Sequence, residues 1–416
     1  MVYLFGILIA VILLLSWKYI LRLEPAGIFA ALWIFFGVST LLLQNYIDLR
    51  FDGCVFILTG VVFFVAGAIF SDNFYQPTSS GCHIQLKKQW VTPLLIVLLI
   101  GAMVNPLYSI ILHGFSLRAL LDMREVLEMN KGISEDRYAG AEAHDLVNQF
   151  FLIFSYAAPV IGGLCYRLVG KLNKVLCIIT LIPCTFIALT QSLKMGMIAS
   201  FILFFGSYIV SSYTYHLPIR IKGKVILNLA LVIIGFLLTL FISMVFRTGE
   251  VSQKTILEIS EKFVSYAIGH MHNVDVWYTS YIPTDLTWGS HTFLGISNLL
   301  GIEERVQGIY PEYMNVGKNG FYGISNTFTI FRPLVEDFGE VGTMVVMFIM
   351  GAIGNMSLKA LTAGRLVILN QVILIALFAY IMWSFSASFY AYTTYLAMFS
   401  FVFILFHLIQ TMEQPC

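Results

Sequence analysis

Residues 366–410 contain no Asp, Glu, Lys or Arg. As one helix such a run would be about 68 Å long at about 1.5 Å per residue. A bilayer's hydrocarbon core is about 30 Å thick. The run therefore holds two membrane spans and a turn between them, placed by its polar residues at 384-SFSAS-388. The same reasoning divides residues 175–214 near 191-QSLK-194.

Extending the criterion of about 20 mostly apolar residues per span along the chain gives eleven spans (range 10–13). They cover residues 2–19, 27–44, 54–71, 91–112, 146–164, 175–190, 195–213, 225–246, 338–357, 366–384 and 389–410. The composition agrees: 59% of the 416 residues are hydrophobic and 11% charged, a balance that suits a multi-pass membrane protein better than a soluble core. The expected fold class is all-α, a polytopic integral membrane protein forming a single transmembrane domain over 1–416.

The formal net charge of +1 hides a polarity across the membrane. Alternate loops carry Lys18 and Arg22; Lys87 and Lys88; Arg167, Lys171 and Lys174; Arg220, Lys222 and Lys224; and Lys359 and Arg365. Only Glu24, Asp72 and the tail's Glu413 oppose them on that side. By the positive-inside rule these loops are cytoplasmic and the N-terminus is outside. The first span lacks a basic n-region, which disfavours a cleaved signal peptide. The six cysteines show no disulfide or zinc spacing. Nothing in the charge pattern points to nucleic acid.

Most of the polar sequence falls in two outer loops, 113–145 and 247–337. Long loops of this kind are usually functional or disordered. The second is rich in aromatics, including Trp277, Tyr278, Tyr281, Tyr310 and Tyr313, which argues for packing or ligand stacking. The first loop predicts an amphipathic helix over 116–129, N-capped by Ser116; the second predicts one over 252–267. Both would lie along the membrane surface. The glycines of 317-GKNGFYG-323 suggest tight turns or close backbone approach.

Midplane charges, which usually mark ion or substrate pathways, are nearly missing from the expected spans. That disfavours a transporter or flippase and moves the chemistry to the outer face. Arg247 directly follows the eighth span and Arg332 shortly precedes the ninth. Arginines at headgroup depth suit phosphate oxygens, and Lys194 and Arg50 fall at a similar depth. Snorkelling is the ordinary use of such residues. Glu336 and Asp337 follow Pro333, as first-turn acids commonly do; the sharper reading is a carboxylate that accepts a proton from a hydroxyl. His270, His272 and Asp275 form an HxHxxD pattern without a third ligand at diagnostic spacing, so no metal is expected. His291 is a further base candidate.

The layout of many spans and two large outer loops resembles bacterial oligosaccharide repeat-unit polymerases, the O-antigen polymerase type. Residue-level similarity is confined to about 244–342: Arg247, Tyr266 to His270, Gly289 to Phe293, and then Asn326-Thr327, Thr329, Arg332-Pro333, Asp337-Phe338-Gly339 and Gly342. Such proteins often carry an Arg in the hairpin where Lys194 stands here. The resemblance implies metal- and cofactor-free glycosyl transfer from an undecaprenyl-diphosphate-linked oligosaccharide at the periplasmic face of the inner membrane. It implies Arg247 and Arg332, with Lys194, on the diphosphate. His270, Asn326 and Thr329 would contact glycan, and Asp337 or His291 would act as the base. Membrane lipid and a chain-length regulator are the expected partners. A polysaccharide ligase is the close alternative.

Overall fold

The computed structural model describes residues 1–78, 83–138, 145–191, 193–218, 234–235, 237–245, 253–283, 285–303, 309–318 and 323–413. In chain order the elements are α1 (Val2–Arg22), α2 (Pro25–Leu43), α3 (Asp52–Phe74), β1 (His83–Leu86), α4 (Lys88–Leu112), α5 (Met123–Tyr138), α6 (Leu146–Cys165), α7 (Lys171–Ile179), α8 (Ile182–Thr190) and α9 (Lys194–Thr214). Then come α10 (Gln253–Ser280), α11 (Leu294–Leu299), β2 (Met314–Asn315), β3 (Ile324–Ser325), α12 (Phe331–Thr362), α13 (Val367–Trp383), α14 (Thr393–Ile409) and β4 (Gln410–Glu413). Among the described residues, eight helical segments are long and apolar enough to cross a membrane: α1 to α4, α6, α7 with α8, α9 and α12. Two shorter apolar helices, α13 and α14, follow. This is an all-α, multi-pass membrane protein carrying two small two-stranded ladders.

Four local expectations need correction. The charge-free run does turn after Trp383, but its second helix starts at Thr393, after a 3-10 turn at Phe389–Ala391. The surface helix over 116–129 is interrupted. Ser116 caps a 3-10 turn, Leu117–Leu121, by accepting from the Arg118 amide. Asp122 is then extended and accepts from the Arg124 amide at 2.8 Å, starting α5 afresh. The helix expected over 252–267 runs on to Ser280, so the HxHxxD residues lie on helix rather than loop. Lastly, α12 begins at Phe331, ahead of the expected span, and bends at Gly339.

The bend has a local cause. Gly339 has φ 70° and ψ 178°, a region of backbone space that is essentially glycine-only. It divides α12 into a short turn, 331–338, and a long apolar arm, 340–362. In a continuous helix the Asp337 carbonyl would accept from residue 341; here it accepts from the Trp288 amide at 3.1 Å.

Two compact units emerge. One comprises residues 1–81 and 260–396; the other comprises 82–259 and 397–416. In the first, α3 packs along α12 with backbones nearly touching. A Cβ on Gly67 would collide with the Phe348 carbonyl oxygen, and one on Gly351 with that of Phe64. Membrane helices associate without a hydrophobic drive, so small residues that permit such approach take its place. Asn355 adds hydrogen bonds to Ala68 O, Ser71 Oγ and Asp72 Oδ1 at 2.7–3.0 Å. The start of α3 is capped from α10: Asp275 accepts from the amides of Arg50, Phe51 and Gly53 at 2.6–3.0 Å, satisfying donors that a helix start leaves open.

The second unit repeats the small-residue device. A Cβ on Gly163 of α6 would meet the Phe204 backbone of α9, and Ser207 and Ser211 of α9 donate to the carbonyls of Val160 and Leu164, both at 2.6 Å. α7 and α8 meet at Thr180 and Leu181, just before Pro183, which lacks the amide needed to continue the ladder. β1 pairs antiparallel with β4, His83 opposite Glu413 and Leu86 opposite Gln410.

Candidate functional site

Arg332 is the second residue of α12 and is 7% exposed. Three aromatic rings surround its guanidinium, with centroids 3.9 Å (Tyr310), 4.3 Å (Phe328) and 5.4 Å (Trp277) from Cζ. Stacking of this kind suits a planar, weakly hydrated cation. Carboxylates take its edges. Nε donates to Glu336 Oε1 at 2.9 Å, one helical turn along. Nη1 and Nη2 donate to the two oxygens of Glu312, at 3.3 and 3.0 Å, in a bidentate pair.

Beside this group lies a cavity of about 180 Å³ lined by His291, Leu294, Glu303, Ile309, Tyr310, Arg332 and Glu336. Tyr310 donates from its hydroxyl to Glu336 Oε2 at 3.3 Å. Burial, and after it the charge of Glu336, holds its phenol well above the ordinary range, so it stays a donor. Burial alone would raise the Glu312 carboxyl; the Arg332 guanidinium outweighs this and lowers it. The cavity thus offers the Tyr310 ring with its neutral donor, two lining carboxylates and an imidazole. Such a lining suits a polyhydroxylated ligand, since rings stack on sugar faces and fixed polar groups orient hydroxyls.

Asp337 is fully buried and turned away from this lining. Its carboxylate accepts from Thr287 Oγ1 at 2.7 Å, from the amides of His291 and Thr292 at 3.0 and 2.7 Å, and from Thr292 Oγ1. Four donors fill its acceptor capacity. With the Asp337 carbonyl on Trp288, the residue holds the 287–292 segment by both main chain and side chain. That segment brings His291 to the cavity wall.

The sequence-predicted residues therefore divide. Arg332 and His291 share the cavity. Asp337 supports His291 from behind instead of facing the cavity as a base would. Thr329 is fully buried at φ 59°, and its hydroxyl accepts from the Phe331 amide at 3.2 Å; this starts α12 and leaves no surface for a glycan. His270 is 1% exposed among Trp33, Phe36 and Phe385, a core position. Asn326 is half-buried on the segment whose neighbours Ser325 and Thr327 are held through their carbonyls by Asn273, at 3.0 and 3.1 Å. Lys194 begins α9, in the second unit. Arg247 lies outside the described residues.

Sequence reasoning noted the aromatic density around Tyr310 but missed Glu312 and Glu303. An acid twenty residues from Arg332 carries no local signal. Glu336 was legible as a first-turn acid or, with Asp337, as a carboxylate accepting a hydroxyl proton. Three residues with φ > 0 that are not glycine, Trp288, Ile309 and Thr329, sit in the segments that build this region; such strain concentrates where function needs a fixed geometry.

No family model, curated protein or solved structure matches the chain.

Proposed function

We propose that this protein is a membrane-embedded glycosyltransferase. It polymerises undecaprenyl-diphosphate-linked oligosaccharide repeat units at the periplasmic face of a bacterial inner membrane, with eleven spans and the N-terminus outside. The observation that supports this reading is the convergence of Arg332, His291, Glu336 and Tyr310 on one cavity at the head of a membrane-spanning helix.

An acceptor sugar hydroxyl attacks the donor's anomeric carbon as the bond from that carbon to the diphosphate oxygen breaks. The hydroxyl proton passes to the His291 imidazole at the cavity wall. The polyprenyl diphosphate leaves, and Arg332 neutralises the charge developing on it. Glu336 and Tyr310 orient sugar hydroxyls. Asp337 is a positioning residue that acts through the 287–292 segment. Asn326 contacts glycan.

The test is surface polysaccharide from cells carrying Arg332→Ala, His291→Ala or Arg247→Ala at equal membrane levels. Loss of long chains with single repeat units retained supports the assignment. Unaltered long chains in all three overturn it. Loss of even single units indicates a ligase.

A further inference from the structure

We propose that Glu312 is a built-in occupant of the anion site on Arg332, and that a phosphoryl group of the substrate must displace it. The inference rests on the reading of Arg332 as a diphosphate-binding residue and goes further, assigning that site its own internal competitor.

A guanidinium can meet an anion only through its faces or its N–H edges. Tyr310 and Phe328 occupy the space nearest its faces. Glu336 holds the Nε edge, and it is the firmer of the two acids: its side chain is 16% exposed, it sits on the same helix, and Tyr310 donates to its second oxygen. The Nη1–Nη2 edge is the one suited to bidentate capture of phosphate, and Glu312 fills it with both oxygens. A phosphoryl oxygen reaching that edge takes the place of a carboxylate oxygen of like charge and similar geometry.

Glu312 is built to leave. Its side chain is 48% exposed against 9% for Arg332, and it stands on the segment 309–313, which has no helix or strand bonding of its own. That segment is entered through Ile309, which lines the cavity at φ 72°. A β-branched residue there is a genuine outlier, so the inward position of the segment is held against local strain. Charge balance demands departure as well. Glu312 and Glu336 already pair with the one guanidinium and Glu303 lines the same cavity, so a diphosphate entering beside all three would be repelled.

The experiment titrates purified full-length protein in nanodiscs with inorganic pyrophosphate, followed by calorimetry, for the wild type, Glu312→Gln, Glu312→Asp and Arg332→Ala. Thermal unfolding is recorded for each. Glu312→Gln keeps the shape and removes the competing charge; it is expected to tighten pyrophosphate binding about tenfold while lowering the unfolding temperature. Glu312→Asp is expected to fall between it and the wild type. A purely structural ion pair would weaken both properties together. Arg332-dependent binding of equal or lower strength in Glu312→Gln overturns the displacement and leaves the diphosphate reading intact. Binding that persists unchanged in Arg332→Ala, or none in any variant, overturns both.

Discussion

The two ends of α12 each hold a cation, and they hold it differently. Near the C-terminal end, Lys359 donates to the carbonyls of Ser71, Asp72 and Tyr75 at 2.9–3.2 Å and pairs with the Asp72 carboxylate at 3.2 Å. Asp72 also accepts from Lys18, Tyr19 and Asn355 at 2.6–2.8 Å. One carboxylate thus serves two lysines, and the cluster ties α1, α3 and α12 together at the end of α3, whose last carbonyls lack helical partners. At the N-terminal end the proportion is reversed: Arg332 serves two carboxylates beside a cavity. Its partners are replaceable in kind, because a carboxylate and a phosphate use the same edge of a guanidinium. Carbonyls at a helix terminus are not replaceable in that way. A cation neutralised by its own fold stitches helices; a cation surrounded by surplus acid is stored for exchange.

The contrast can be broken in order of expected effect. Arg332→Ala should lower polymer formation by about a hundredfold or more, the range for removing one donor to a developing negative charge, with a smaller change in stability; gel profiles of surface polysaccharide and thermal unfolding check this. Asp72→Ala should do the opposite. Two lysines lose their carboxylate partner, costing roughly 2 kcal/mol for a part-exposed cluster, between surface and buried ion pairs. Activity per folded molecule should be retained. Gly339→Ala should cost about 1–3 kcal/mol from backbone strain and misplace Arg332 relative to Trp288, lowering both readouts. Lys359→Met should cost about 1 kcal/mol, the scale of hydrogen bonds lost at a half-exposed site.

The smallest effect is in pH. The Glu312 carboxyl is lowered in the fold, so its pairing with Arg332 is fully present above the ordinary glutamate value of about 4.3. It is lost only as the pH falls through the lowered one. Trp277 fluorescence, reporting on the guanidinium 5.4 Å from its ring, should therefore show no Glu312-dependent change between about pH 5 and 8. A step in that window, missing from Glu312→Gln, would contradict the pairing.

How much of this was readable in advance follows from where each signal resides. Apolar runs such as 2–22 and 367–383 fix helices because span length is a property of the run itself. Ser116 was legible as a cap for the same reason, being local. Asp122, inside the expected surface helix 116–129, broke it through an equally local hydrogen bond that composition does not reveal. His270 and Asp275 read as a loop motif because polar residues interrupt the stripe of α10; only tertiary packing shows one in an aromatic core and the other capping α3. Asp337 was read as a base, yet its partners at 287–292 lie some 45 residues away, and burial by a distant segment has no sequence period. Arg332 was found from its depth beside a span, whereas Glu312 could be found only from the fold.

The Gly339 joint separates two kinds of constraint. Side chains on the apolar arm answer to lipid and to α3; those on the short turn answer to the cavity. A rigid helix would force both sets into a common rotational register, so that any drift in one face would rotate the other. With a single residue absorbing the change of direction, the arm can accumulate substitutions without turning Arg332. The turn and its cavity can in the same way be retuned for a different ligand without disturbing passage through the membrane.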